Sequence, residues 1–168
     1  MQKWRPIHHA CYRGSKNVAK LLIQNKVDLE AEDSENWKPI HFACSEGFID
    51  IVELLIQNKV DLEAEDSENW RPIHYACSGG FIDIVELLTK NTVDIRAMTR
   101  DKKTALDCAY EKGFEDICAF LTEHSTSLEE NDSQNEVNIR VRYSCLILAI
   151  ILAIILAIIL YMLNKFFL

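Results

Sequence analysis

The stretch Trp37-Lys-Pro-Ile-His-Phe-Ala-Cys44 decides the fold, because the chain repeats it at a constant interval. Copies stand at Trp4–Cys11 and Trp70–Cys77, each 33 residues from the next. Residues 24–37 also return letter for letter at 57–70. A period held over this length predicts stacked supersecondary units, each too small to bury its apolar face alone.

Each repeat predicts a pair of helices. Pro39 fits the first turn of the first helix, where the missing N–H costs nothing. Ile40, Ala43 and Cys44 then share one face of that helix. The second helix carries a wide apolar stripe, formed by Ile51, Val52, Leu54, Leu55 and Ile56. Four glycines are expected to end the first helices, namely Gly14, Gly47, Gly80 and Gly113.

Asparagine is expected wherever the backbone turns left-handed outside those glycines, since it tolerates positive φ. Asn25, Asn58 and Asn91 follow the second helices and are expected to close them in that conformation.

At these residues the chain resembles the ankyrin repeat family. The signature motif stands as Lys38-Pro-Ile-His-Phe-Ala43 and the second-helix motif as Ile51-Val-Glu-Leu-Leu55. The resemblance covers residues 4 to about 124. It implies an all-α solenoid of about four helix-turn-helix units, with turn tips and first helices lining a concave binding face. It also implies structural roles for the signature residues Pro6, His8, Ala10, Pro39, His41, Ala43, Pro72, His74 and Ala76.

The chain departs from the family pattern in two ways. Arg5, Lys38 and Arg71 replace the family's threonine, and losing a threonine cap costs on the order of 1 kcal/mol per helix. In the fourth unit Thr104 restores the family's threonine. Met1 lies just before the first signature, so the first unit is expected to expose a face that the others bury. Either the chain is a truncated product or something covers that face.

Charge and motifs exclude several functions. Residues 1–124 hold 15 basic and 22 acidic residues, a balance that disfavours nucleic-acid binding because phosphates would be repelled. No nucleophile elbow or phosphate-cradling loop is present, which predicts a protein that is not an enzyme and needs no cofactor. The three His-x-x-Cys pairs lie a whole repeat apart, too far to share a metal ion. Cysteines at the repeat spacing are likewise expected to stay reduced.

The C-terminal sequence predicts a membrane segment. Residues 125–143 read as a polar, acidic linker with a basic flank, residues 144–163 as a transmembrane helix and 164–168 as a short tail. Between Leu146 and Leu163 thirteen of eighteen residues are Leu or Ile, and none is charged. As a helix this run spans about 27 Å, close to the roughly 30 Å hydrocarbon core.

The flanks of this segment predict its orientation. Arg140 and Arg142 precede the span and only Lys165 follows it, which places the repeats in the cytosol, as in a tail-anchored protein. The endoplasmic reticulum is favoured over the mitochondrial outer membrane. Small residues recur every fourth position and would permit a weak homo-oligomer, unless they pack nothing in particular; these are Ala149, Ala153 and Ala157.

Aromatic residues at the turn tips are the candidate partner contacts. Two interpretations of Trp4, Trp37 and Trp70 stay open: anchors of an interface, or rings packed on the following Lys or Arg or on the neighbouring repeat. The resemblance places further concave-face positions at Ser34, Glu35, Ser45, Glu46, Ser67, Glu68, Ser78 and Gly79. The acidic turns favour a partner with basic groups.

Two functions follow from these patterns. The first is a membrane-tethered ankyrin repeat protein that recruits a protein partner of unknown identity on the cytosolic face, with the lipid bilayer as its second partner. The alternative is an accessory subunit or truncated fragment of a larger ankyrin-containing membrane protein, such as a channel or transporter.

Overall fold

The computed structural model describes residues 3–125, and all regular structure within them is helical. The helices are α1 (Pro6–Tyr12), α2 (Lys16–Gln24), α3 (Pro39–Ser45), α4 (Ile49–Gln57), α5 (Pro72–Gly79), α6 (Ile82–Lys90), α7 (Ala105–Lys112) and α8 (115–125). The predicted helix at 144–163 lies outside the described residues. Among the described helices, none is long and apolar enough to cross a membrane.

The helices stack in two columns. The first helices of successive units pack on one another, α1 on α3, α3 on α5 and α5 on α7, while α2, α4 and α6 form the outer column. The predicted apolar faces are buried between them: Ile40 is 1% exposed and Ala43 and Cys44 are fully buried. On α4, Ile51, Val52 and Leu55 are buried, whereas Leu54 and Ile56 are half-buried. The core is therefore a continuous band that crosses every unit boundary.

Glycine closes each first helix in the way the sequence predicts. Gly47 has φ +77° and Gly80 φ +77°, values that residues with a Cβ adopt only at a cost. A second reason for glycine is space. A Cβ built on Gly47 would lie 2.3 Å from the ring of Phe81 in the next unit, so the glycine lets that ring pack against the turn.

The prediction for the second helices is wrong by one residue. Asn58 keeps φ −93°, and the left-handed residue is Lys59, at φ 59°. Asn58 instead donates from Nδ2 to the Leu54 carbonyl at 2.8 Å and so satisfies a carbonyl left free at the helix end. The other units repeat this arrangement, with Asn25 and Asn91 as caps and Lys26 and Thr92 at positive φ. Asn36 and Asn69, in contrast, do adopt positive φ, at 63° and 59°.

Where the threonine cap is missing, a histidine hydrogen-bonds to the backbone at the helix start. The Lys38 side chain makes no cap hydrogen bond, but its backbone N–H donates to Nδ1 of His41 at 2.9 Å. Nε2 of the same ring lies 2.9 Å from the Ala64 carbonyl, which fixes the tautomer with the proton on Nε2. Equivalent bonds are made by His8 and His74, so in each of the first three units a histidine bonds to the backbone at the start of the first helix and ties that helix to the following turn.

The basic residues at the threonine position bridge adjacent acidic turns. Lys38 Nζ lies 3.0 Å from Glu30 and 3.6 Å from Asp61, and Arg71 pairs with Glu63, Glu65 and Asp94. Partial burial lowers the pKa of Lys38, but the carboxylates outweigh it and hold that pKa above its usual value. Exchanging threonine for a basic residue thus replaces a local cap by contacts between units.

The first unit exposes apolar surface, as its sequence predicts. Val18 of α2 is 49% exposed, whereas its equivalents one and two repeats later, Ile51 and Ile84, are each 1% exposed. Leu21 of α2 is 58% exposed. In later units the preceding second helix covers this face, and for α2 the described residues supply no such neighbour.

A candidate partner-binding groove

An aspartate in each acidic turn positions the tryptophan that follows it. Oδ1 of Asp33 accepts the backbone N–H groups of Glu35 at 2.8 Å and Trp37 at 2.9 Å. Asp66 does the same one repeat later for Glu68 and Trp70. This is an Asx-turn, in which a side chain replaces a backbone acceptor and closes the loop. Each indole is therefore presented at a defined point at the entrance of the next first helix.

The turns are also tied to one another. The backbone N–H of Ser67 donates to the Glu35 carbonyl at 3.0 Å, and that of Arg100 donates to the Glu68 carbonyl at 2.8 Å. Because each turn hydrogen-bonds to the next, the tryptophans project from a single surface that continues from unit to unit.

The tryptophans belong to an aromatic ladder that crosses the units. Trp37 lies 4.9 Å from Phe42 of its own unit and 4.5 Å from Tyr75 of the next, measured between ring centroids. Trp4 lies 4.8 Å from Phe42 in the same way. These edge-on and tilted contacts are the favoured geometries for aromatic pairs. Of the two interpretations that the sequence left open, packing on the neighbouring repeat is therefore realised for Trp4 and Trp37.

The ladder forms one wall of a concave groove along α1, α3 and α5, with a volume of about 620 Å³. We call it the concave groove and define it by its lining: Trp4, Tyr12, Asp33, Glu35, Trp37, Phe42, Ser45, Glu46, Tyr75, Ser78 and Gly79. Trp4 and Trp37 are half-buried, and they line the groove as well as belonging to the ladder. The size lies within the range of sites that bind ligands.

The groove gathers most of the residues predicted from the concave-face pattern, namely Trp4, Glu35, Trp37, Ser45, Glu46, Ser78 and Gly79. Within the described residues, the rest of that predicted set lies outside it: Ser34, Ser67, Glu68 and Trp70. Glu68 is instead paired with Arg100 at 2.8 Å, and Trp70 packs on Tyr75 at 5.0 Å. Their role in partner binding stays a prediction.

Sequence reasoning missed four lining residues: Tyr12, Asp33, Phe42 and Tyr75. A signal for two of them was present. The variable position inside the Pro-Ile-His-x-Ala motif is aromatic in each complete copy, as His9, Phe42 and Tyr75, and this regularity marks a face. Asp33 was counted only as part of an acidic turn, although it also accepts the indole N–H of Trp4 at 3.1 Å.

Buried titratable groups near the groove are committed to structure. Burial lowers the pKa of His8, His41 and His74, and both ring nitrogens of each are engaged with backbone groups. Tyr75 donates to Asp66, and burial together with this carboxylate raises its pKa. In residues 3–125 no three His, Cys, Asp or Glu side chains are placed to hold a metal ion.

The cysteines of the described region are unpaired. Cys11, Cys44, Cys77, Cys108 and Cys118 are all free thiols, and all but Cys118 are buried. Burial raises the pKa of Cys11 to about 12 and that of Cys108 to about 11, which leaves almost no reactive thiolate at neutral pH.

Comparison with protein families agrees with the geometry. The family model described as Ankyrin repeats (3 copies) matches residues 2–66 and 59–132, which together make up most of the chain. The chain therefore belongs to the ankyrin repeat family. A search of curated proteins found no match to this chain. Ankyrin repeats indicate a protein partner, and proteins of this family are typically interaction modules rather than enzymes.

Proposed function

We propose that this chain is a membrane-tethered, non-enzymatic interaction module that recruits a protein partner to the cytosolic face of a membrane. The observation that carries the proposal is the concave groove, where half-buried Trp4 and Trp37 stand beside exposed Glu35 and Glu46. Half-buried aromatic side chains held rigidly by their neighbours are the residues that most often anchor protein interfaces. Tethering would raise the local concentration of whatever the groove holds.

The membrane part of the proposal is supported by sequence. The apolar run between Leu146 and Leu163 carries no charge, and the arginines before it favour the cytosol for the repeats. The proposed membrane is that of the endoplasmic reticulum. Residues 140–168, on which this part of the proposal rests, lie outside the described part of the chain. Carbonate extraction and protease treatment of sealed microsomes test this: release by carbonate would contradict the anchor, and protection of the repeats would contradict the orientation.

The groove part is tested by proximity labelling from the intact chain. Ser45→Arg places a long side chain into the groove from the end of α3, where Ser45 is half-buried. Gln57→Arg adds the same side chain at an exposed position on the outer helix α4 and serves as the matched control. We expect Ser45→Arg to remove a subset of labelled proteins that Gln57→Arg retains, with both variants keeping the wild-type circular dichroism. A labelled set unchanged by Ser45→Arg would contradict recruitment through the groove.

A second candidate function has its own supporting observation. The exposed Val18 and Leu21 of α2 form the kind of face that the preceding unit covers elsewhere in the stack. This favours a subunit or fragment of a larger membrane protein, such as a channel or transporter, whose other part covers α2. Copurification with polytopic proteins that is lost in a Leu21→Asp variant, but retained in Ser45→Arg, would select this function over the first.

A further inference from the structure

We infer that the concave groove recognises an arginine side chain in an extended basic segment of its protein partner. This inference rests on the proposed function and names the chemistry that the groove would bind. It starts from charge. Asp33, Glu35 and Glu46 line the groove, and within the described residues no Lys or Arg does. Neither Glu35 nor Glu46 forms an ion pair in the described part of the chain.

Most other acidic groups of the connecting turns are neutralised by the protein itself. Glu30 and Asp61 pair with Lys38, and Glu63 and Glu65 pair with Arg71. Glu35 has no such cation among residues 3–125, and a comparison of successive repeats shows why.

The comparison of Glu35 with Glu68 shows that reason. The two residues are equivalent across one repeat, and Glu68 pairs with Arg100 at 2.8 Å. Arg100 stands one repeat after Ser67, and the backbone N–H groups of both donate to the preceding turn in the same way. A serine therefore occupies the place from which an arginine would reach Glu35. The fold holds this carboxylate in the same position and leaves it without its cation.

The aromatic wall explains why arginine fits better than a bare ammonium group. Trp37 contacts both Phe42 and Tyr75, which restrains its ring, and it is half-buried and lines the groove. A guanidinium group stacks on an indole face and donates two parallel hydrogen bonds to a carboxylate, and it sheds water more readily than lysine does. Aromatic rings and carboxylates in one groove provide both kinds of contact.

Binding of a defined peptide tests the inference. The probe is acetylated, fluorescein-labelled (Gly-Arg)4, and the protein is the full chain in a neutral detergent micelle, with fluorescence anisotropy as the readout. Matched peptides carry lysine or the uncharged isostere citrulline. We expect the arginine peptide to bind about tenfold more tightly than the citrulline peptide, with lysine between them. Equal affinity for arginine and citrulline, or no binding of either, would overturn the inference.

Protein variants locate the site. Glu35→Gln/Glu46→Gln removes the two unpaired carboxylates, and we expect about tenfold weaker binding of the arginine peptide, since an exposed charge contact contributes roughly two- to fivefold. Glu32→Gln/Glu53→Gln removes the same net charge at two exposed positions outside the groove and should change the affinity less than twofold. A similar loss in both double variants would show attraction by net charge alone and would overturn the assignment to the groove.

The outcomes separate this inference from the proposed function. If Ser45→Arg removes labelled proteins in cells but the arginine peptide does not bind, the groove recruits a partner of another chemistry, and only the arginine inference fails. If the peptide binds through Glu35 and Glu46 but Ser45→Arg leaves the set of labelled proteins unchanged, arginine binding by the groove is retained and recruitment of a partner through the groove is contradicted.

Discussion

The close approach of the Phe81 ring to Gly47 can be tested by adding a single carbon atom, the Cβ of alanine, at residue 47. Replacing Gly47 by alanine has two effects. The backbone must hold a residue with a Cβ at φ +77°, and the new Cβ would meet the ring of Phe81 at 2.3 Å, well inside any normal contact. Gly113 has nearly the same conformation, φ +78°, but a Cβ there has no described atom within 4 Å. The two glycines thus separate backbone strain from crowding.

The expected cost follows from these two terms. Left-handed conformation costs a residue with a side chain about 1–2 kcal/mol, and overpacking a close contact costs about 1–3 kcal/mol more. Gly113→Ala should therefore lower the free energy of unfolding by about 1–2 kcal/mol. Gly47→Ala should lower it by about 2–5 kcal/mol, because the opposite edge of the Phe81 ring lies close to Gly79 and the ring cannot move freely away from residue 47.

Urea unfolding followed by circular dichroism measures both costs. End units of a repeat stack can unfold separately, so the decisive comparison stays at one site. In a Phe81→Ala background every ring atom that would meet the new Cβ is gone, and Gly47→Ala should then cost only the strain, about 1–2 kcal/mol. An equal cost of Gly47→Ala in both backgrounds would refute the crowding argument. The crowding argument would also be refuted if, in the wild-type background, Gly47→Ala cost no more than Gly113→Ala.

Three further predictions follow from burial. Burial lowers the pKa of His8, His41 and His74 below 6.5, so below that pH the unfolded chain binds more protons than the folded chain does. The free energy of unfolding should therefore fall as the pH drops below 6.5, by up to about 1.4 kcal/mol per pH unit for each histidine. His41→Gln should reduce the slope of urea midpoint against pH by about a third, and an unchanged slope would exclude this histidine as a cause. Ile51 is 1% exposed and Val18 is 49% exposed, so Ile51→Ala should lower the free energy of unfolding by about 2–5 kcal/mol and Val18→Ala by less than about 1 kcal/mol. Urea unfolding of the intact chain measures both, and equal costs would show that another part of the protein covers α2. N-ethylmaleimide, with sites mapped by mass spectrometry, should leave Cys44 unmodified until urea is added, and rapid labelling without urea would contradict its burial.

The repeat itself could be predicted because its signals are local. Pro39 at a helix start, Gly47 after it and the stripe from Ile51 to Leu55 each act within one or two turns of chain, where backbone sterics and periodicity decide the outcome. The prediction for Asn58 failed because two local solutions compete there. The structure uses the amide to cap the helix and leaves the left-handed residue to Lys59.

Sequence alone thus determined the period of 33 residues, the helix pairs, the buried and exposed faces and the uncovered first unit. Tertiary structure decided which groups meet across units. It placed Trp37 between Phe42 and Tyr75 and left Glu35 without the cation that Glu68 has. The physical reason is distance along the chain. Contacts between residues 32 to 38 positions apart, such as Trp37 with Tyr75 and Glu68 with Arg100, depend on how far each unit is shifted and rotated on the last, and that geometry arises only when the whole stack packs.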